Sequence, residues 1–279
     1  MKIGIVGLGL IGGSLGLDLR SQGHEVLGVA RRDRTCEIAL ARGAVDAAET
    51  DPALLADTDV IFVCTPIAYI RTTVEQLIPQ ISPSTVLTDV GSVKAAIVRD
   101  ISPLWSSFVG GHPMAGTAES GIEAALHGLF AGSPYVLTPT EKTPQSAIDL
   151  LESLLKPLQV RLFHCQPEEH DRAVAWISHL PVMTSASLIA ACLSEPDSTV
   201  LRLAQALASS GFRDTSRVGG GNPELGVMMA QYNKTEVLRS LGVYRDALDR
   251  ITSAIEQENW NALESILEQN QHVRPKFVD

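Results

Sequence analysis

The first twenty residues constrain this chain more than any others. Lys2–Arg20 reads KIGIVGLGLIGGSLGLDLR. Ile3, Ile5 and Val6 form a short apolar run of the kind that makes a buried strand. Gly7, Gly9 and Gly12 follow at the spacing G-x-G-x-x-G, and Leu15, Leu17 and Leu19 continue into a helical stretch. Each glycine answers a separate need. Gly7 permits the tight turn out of the strand, Gly9 lets the backbone approach a pyrophosphate, and Gly12 lets the helix pack close to the sheet. The helix N-terminus offers free N–H groups and a positive dipole end to the phosphates. A strand before and a helix after are the context this spacing requires. Gly7, Leu8, Gly9, Leu10, Ile11 and Gly12 are therefore the expected cradle of a dinucleotide. The alternative is a glycine-rich turn with no ligand.

The next strand, His24–Ala30, refines the expectation. An NAD site ordinarily ends this strand with an acid that holds the ribose 2′-hydroxyl, about 20 residues past the glycines. Here Ala30 is followed by Arg31 and Arg32. Two guanidiniums would clamp a 2′-phosphate that an acid would repel. The spacing predicts NADP, with NAD as the alternative if Arg31 and Arg32 are only solvated and Asp33 takes the ribose.

Strands and helices then alternate. Strands are expected at Ala44–Ala47, Asp59–Cys64, Thr85–Val90, Phe108–Gly111, Tyr135–Thr138 and Val160–Phe163, with a helix opening at Asp51-Pro52. Thr65-Pro66 ends the fourth strand, and the carboxyl ends of such strands face the ligand crevice, so both residues are expected at the cofactor. From Glu168 onward only helical patterns follow. The expected fold is α/β: an N-terminal Rossmann-type doubly wound sheet over residues 1–166, then an all-helical domain over residues 167–279. The long helix Thr235–Gln257 carries apolar positions that call for a partner surface, part of it on another subunit.

Composition narrows the partners. The 279 residues are 45% hydrophobic and 19% charged, as in a soluble globular protein, and the net charge of −10 argues against nucleic-acid or anionic-membrane binding. The apolar run Ala173–Leu193 contains His179 and Pro181 and reads as a buried helix rather than a membrane span. Cys36, Cys64, Cys165 and Cys192 are scattered, as expected of reduced, mostly buried thiols in a cytoplasmic protein. A strand that begins at once leaves no room for a signal peptide.

Four features suggest chemistry beyond cofactor binding. His112 in GGHPMAG, just past the sixth strand, can draw the proton from a hydroxyl while a hydride leaves the carbon; the alternative is a structural turn histidine. Ser92, in GSVK at the end of the fifth strand, can bind the same hydroxyl or the nicotinamide. Lys94 in that motif either supports the loop or pairs with Asp89. Arg213 and Arg217 lie in the glycine-rich connection GFRDTSRVGGGNP and suit a carboxylate, unless they form a solvated loop with Asp214. His179, on an apolar helix, is either a core histidine or a crevice residue. His164, Cys165, Glu168 and His170 lack a regular ligand spacing, and no metal is expected.

Taken together, the motifs GLGLIGGS, TDVGSVK (Thr88–Lys94), GGHPMAGTAESG (Gly110–Gly121), DRAVAWISHLP (Asp171–Pro181) and GFRDTSRVGGGNP identify a resemblance. The chain resembles the prephenate/arogenate dehydrogenase family, the cyclohexadienyl dehydrogenases of tyrosine synthesis, over nearly its whole length and in a short, monofunctional form. The resemblance implies a dinucleotide-binding domain followed by a helical dimerisation domain, as in 6-phosphogluconate dehydrogenases, and a homodimer. It puts the catalytic histidine on His112, the active-site serine on Ser92, a further active-site histidine on His179 and the substrate-carboxylate arginine on Arg217, with Arg213 a further candidate. The implied reaction is oxidative decarboxylation of a cyclohexadienyl acid. Arogenate is the expected substrate, with Glu119 the nearest acid for its ammonium unless that residue caps the next helix. Prephenate with NAD is the alternative, and a non-catalytic NADP sensor is the alternative of another class.

Overall fold

The computed structural model describes residues 1–117 and 119–278. Eight strands form one sheet in the order β3-β2-β1-β4-β5-β6-β7-β8. They are β1 (Lys2–Val6), β2 (Glu25–Val29), β3 (Ala47–Glu49), β4 (Val60–Val63), β5 (Val86–Asp89), β6 (Phe108–Pro113), β7 (Pro134–Thr138) and β8 (Arg161–His164). The first six run parallel, β7 is antiparallel to β6, and β8 is parallel to β7. The strand order reverses direction at β1 and β4, which is where a doubly wound sheet opens its ligand crevice.

Both faces of the sheet are covered, and the alternation of side chains decides which residue goes where. Ile3, Ile5, Val60 and Phe62 join a core beneath α1 (Leu10–Ser21), α2 (Asp33–Ala41) and α5 (Gln145–Leu155). Val6, Ile61, Val63 and Leu87 join the opposite core, under α3 (Ile67–Leu77) and α4 (Ala95–Ile101). Full burial on both faces is why these strands read as continuous apolar runs.

After β8 the chain is helical: α6 (Pro167–Val174), a π-helical segment (Ala175–His179), α7 (Leu180–Leu193), α8 (Ser198–Leu207), α9 (Ser210–Ser216), α10 (Pro223–Tyr232), α11 (Lys234–Glu256), α12 (Trp260–Val273) and α13 (Pro275–Val278). Gln166 and Glu169 form a capping box that starts α6.

Several local expectations shift. The third strand forms at Ala47–Glu49 rather than Ala44–Ala47. Asp46 stands where a ladder residue would: its carboxylate accepts from Val26 N at 2.8 Å and is gripped by Arg20. The helix expected at Asp51-Pro52 is a single 3₁₀ turn, Pro52–Leu55, with Asp51 capping Ala53 N at 2.9 Å. His112 lies inside β6, not past it, because β7 pairs with it there (His112↔Val136). Residues Ser210–Ser216, expected as a connection, are the helix α9, followed by a 3₁₀ turn at Arg217–Gly220. Cys36 is buried but Cys192 is exposed.

The apolar helix needs a further correction. Pro167–Leu193 is a helical run long and apolar enough to cross a membrane, yet only 17% of its most apolar window is buried within the chain. One side of α7 is covered: a Cβ on Gly219 would sit 2.3 Å from Ala186 N. The other side is open, as is all of α8, which buries none of its residues.

The glycine loop supplies a test. A Cβ on Gly12 would lie 2.1 Å from Gly7 O, a backbone atom that cannot swing aside. Gly12→Ala is expected to cost about 2 kcal/mol or more of stability through overpacking, read as a lower urea midpoint. An unchanged midpoint contradicts the close helix–strand contact.

Candidate active site

The phosphate cradle is built from the turn after β1. Gly7 adopts φ +101°, and a Cβ there would meet the Cys64 carbonyl at 2.7 Å. Gly9 is different: nothing lies within 4 Å of the position its Cβ would take. It begins α1 with no side-chain cap and no acid in the first turn, leaving the first N–H groups of Leu10, Ile11 and Gly12 for an incoming anion. An open cradle with unclaimed donors fits a dinucleotide pyrophosphate. Thr65 and Pro66 follow β4 on the same edge of the sheet, with Pro66 starting α3. Arg31 and Arg32 are exposed after β2, and neither has a carboxylate partner among the described residues.

The ends of β5 and β6 are joined by side chains. Their ladder runs only through Leu87↔Phe108 and Thr88↔Val109. Beyond it Asp89 accepts from Gly111 N at 3.1 Å, and Lys94 Nζ donates to Gly111 O at 2.6 Å. Asp89 and Lys94 also form an ion pair, both side chains fully buried. Burial pushes the Lys94 ammonium down, and the Asp89 carboxylate opposes that shift. Asp89 further accepts from Gly91 N at 2.8 Å, which shapes the loop carrying Ser92. Lys94 therefore pairs with Asp89, one of the two roles open in the sequence. Ser92 Oγ is buried and has no hydrogen-bond partner among the described residues.

His112, one residue past this staple, is 7% exposed. Its Nδ1 lies 2.8 Å from His170 Nε2, and His170 Nδ1 lies 2.8 Å from Asp171 Oδ1. Asp171 also accepts from the backbone N–H groups of Lys94 (2.6 Å) and Ala95 (2.9 Å), capping α4. Burial lowers the His112 imidazole well below its usual range, and the neighbouring His170, Lys94 and His179 add to that shift. His170 is lowered for the same first reason, against the pull of Asp171.

His179 is fully buried and joins the same cluster. Its Nδ1 lies 3.1 Å from Asn233 Nδ2, which also donates to Asp171 O at 2.7 Å. Burial brings its pKa down to about 4. Its Nε2 is buried without a partner among the described residues. The π-helical segment explains how Asp171 and His179 come to share a neighbour. On an unbroken α-helix they would stand about 80° apart around the axis, whereas one residue of extra winding reduces this to about 20°.

Arg213 lies on α9 and Arg217 opens the turn that packs against α7. Both are exposed, and neither pairs with Asp214 or another carboxylate among the described residues. The structure shows no direct contact between either arginine and His112. Glu119 is exposed, and the short turn Ile122–Ala124 starts from Gly121, so Glu119 does not cap it. The sequence reading considered His170 only for a metal and passed over Asp171 and Asn233 as members of this cluster. A His-Asp pair followed eight residues later by a second histidine was the available signal.

The candidate site thus combines an open phosphate cradle after β1 with a cluster of buried, neutral histidines reached from the end of β6 and a buried serine after β5 that has no partner among the described residues. Residues 15–164 match the family description "Prephenate dehydrogenase, nucleotide-binding domain", and residues 166–269 match "Prephenate dehydrogenase, dimerization domain". The chain belongs to the prephenate/arogenate dehydrogenase family. It is 32% identical to a prephenate dehydrogenase of Bacillus subtilis, over 91% of this chain and 70% of the relative. Among solved structures, Synechocystis arogenate dehydrogenase is 55% identical with TM-score 0.90 over the whole of both chains. Prephenate dehydrogenase from Aquifex aeolicus, in complex with hydroxyphenyl propionate and NAD+, is 27% identical with TM-score 0.93, covering 99% of this chain and 98% of that one.

Two predictions concern this dehydrogenase's buried charges. Lys94→Met leaves Asp89 buried without its cation and is expected to cost about 3–5 kcal/mol, while Lys94→Met with Asp89→Leu recovers only part of it, because Gly111 and Gly91 lose their partners. Equal urea midpoints for the single and double variants contradict the pairing. The histidines set the acid side. His179 has a folded pKa of about 4 against 6.5 unfolded. As pH falls between those values the unfolded chain takes up a proton that the folded chain refuses, so stability falls. The urea midpoint is expected to drop from about pH 7 to about pH 5, less steeply in His179→Asn. A flat profile contradicts a neutral cluster.

Proposed function

We propose that this chain is an NADP-dependent arogenate dehydrogenase that oxidatively decarboxylates arogenate to tyrosine. The observation that carries the reading is the neutral His112 near the carboxyl end of β6, on the same sheet edge as Ser92, which follows β5, and the phosphate cradle, which follows β1. Residues 1–166 bind the cofactor and residues 167–279 complete the substrate site and the dimer.

The roles divide as follows. Gly7, Leu8, Gly9, Leu10, Ile11 and Gly12 hold the pyrophosphate, and Thr65 and Pro66 line the crevice beside it. Arg31 and Arg32 bind the 2′-phosphate, and their exposure without carboxylate partners supports that choice. The bound nicotinamide supplies the acceptor for the hydride from C4 of the ring. His112 takes the proton of the C4 hydroxyl, which Ser92 helps orient. Arg217, assisted by Arg213, holds a substrate carboxylate, and His179 binds the substrate from the helical side. Loss of the ring carboxylate as carbon dioxide makes the ring aromatic and drives the step, so the protein chiefly aligns groups and manages a proton.

The 55% identical arogenate dehydrogenase supports the substrate. The second reading is prephenate, or both substrates, with NAD; the NAD+ of the Aquifex structure and Asp33 at the start of α2 favour it. We also propose a cytoplasmic homodimer. The match to a dimerization domain supports it, as do exposed apolar residues on the helical domain: Leu203, Leu207, Val227, Leu248 and Trp260.

Initial rates of NADPH formation from arogenate, set against prephenate and NAD, test the assignment. Fast turnover of arogenate with NADP is expected, and a preference for prephenate or NAD overturns the specificity. His112→Asn is expected to lower kcat by at least about 10²-fold with KM little changed. Arg217→Ala is expected to raise KM at least about tenfold, and a loss confined to kcat contradicts its binding role.

A further inference from the structure

We propose that His170 and Asn233 are positioning residues that fix opposite tautomers on the two active-site histidines, making His112 a hydrogen-bond acceptor toward the substrate and His179 a donor. The inference rests on the reading above, in which both histidines face the substrate.

The assignment follows from counting hydrogens. Asp171 Oδ1 can only accept, so His170 Nδ1, 2.8 Å away, carries the hydrogen. Neutral His170 then has its lone pair on Nε2. That nitrogen lies 2.8 Å from His112 Nδ1, which must therefore donate. The lone pair of neutral His112 is left on Nε2, the ring nitrogen that can receive the hydroxyl proton. When it does, the new imidazolium strengthens its Nδ1–H bond to His170, and Asp171 stands behind that ring.

The second histidine is fixed the other way. Asn233 Nδ2 lies 2.7 Å from the carbonyl oxygen of Asp171, which also can only accept. That sets the amide orientation. The second hydrogen of the same NH₂ meets His179 Nδ1 at 3.1 Å, so Nδ1 accepts. His179, neutral above its lowered pKa, carries its hydrogen on Nε2, the buried atom without a partner. It is a ready donor to a substrate oxygen. One residue governs both rings: the Asp171 carboxylate orders the first chain and its carbonyl the second. The titratable groups around the two histidines are His170, Asp171, Lys94 and Asp89, and the Lys94–Asp89 pair lies within hydrogen-bond reach of Gly111 rather than of either ring.

The test is nitrogen NMR of the intact enzyme with 15N-labelled histidine, which reads each tautomer without catalysis. The wild type is expected to show His112 as Nδ1–H and His179 as Nε2–H. The reverse assignment for either ring overturns its half of the proposal, even if no variant folds. His170→Leu removes the acceptor: kcat is expected to fall about 10²-fold at unchanged KM, with His112 losing its Nδ1–H signature. His170→Gln, whose amide oxygen can accept the same bond, is expected to restore most of both readouts. Asn233→Leu gives the opposite split, a KM raised about tenfold with kcat largely kept. A His170→Leu enzyme with the wild-type His112 tautomer overturns the proposal. Full turnover in His112→Asn would instead sink the base assignment, while the tautomer signals would still report on the two chains.

Discussion

Two buried charges hold the neighbouring ends of β5 and β6 in shape. Where the β5–β6 ladder stops, the backbone N–H and carbonyl of Gly111 would be stranded in the core, at a cost comparable to lost hydrogen bonds. Asp89 and Lys94 take one each and neutralise one another. A buried ion pair adds little to stability over a well-packed apolar pair. What it does here is hold two strand ends apart at a fixed separation, with Ser92 after one and His112 on the other. An apolar pair could fill the space but could not satisfy Gly111.

The second dependence crosses from sheet to helices. Asp171 belongs to α6, yet its carboxylate caps α4 and its carbonyl receives Asn233 from the end of α10. The cofactor-binding and helical parts thus meet at the Asp171 carboxylate and, beside it, at the His112–His170 contact. Movement of the helical part would disturb the α4 cap and the His112–His170 contact together. This gives a reason for the burial of so many polar groups at one junction: most are satisfied by one another, and Ser92 Oγ, Tyr135 Oη and His179 Nε2 are the buried atoms there without a partner among the described residues.

The fold was legible because its signals are local. The glycine spacing, the apolar strands and the switch to helical periodicity near Gln166 each lie within a short window, and the strand order follows from parallel crossovers. Boundaries failed where side chains stand in for backbone. Asp46 displaces β3 by occupying a ladder position, and β7 extends β6 through His112. Helix α9 was hidden because its run of Gly211, Asp214, Thr215 and Ser216 has weak helical preference, and packing of the following turn against α7 supplies what propensity does not. His112, Ser92 and His179 stood out by motif. His170 and Asn233 did not, because their meaning lies in contacts 58 and 54 residues away in sequence. No spacing rule reaches that far.

The π-helical segment Ala175–His179 makes part of this site a matter of arithmetic. Substituting Trp176 or Ile177 changes what the segment touches but leaves the number of residues between Asp171 and His179 intact. Removing one residue and letting the run become ordinary α-helix would keep His179 about 20° from Asp171, because seven α-helical steps turn as far as eight with the extra winding; becoming α-helix at unchanged length would instead rotate His179 away from Asn233 by about a quarter turn. In that second case the helix would be more regular and His179 would lose its hydrogen bond to Asn233. The extra residue and the wider winding therefore belong together: losing the winding alone turns His179 out of the cluster, whereas losing both keeps its angle.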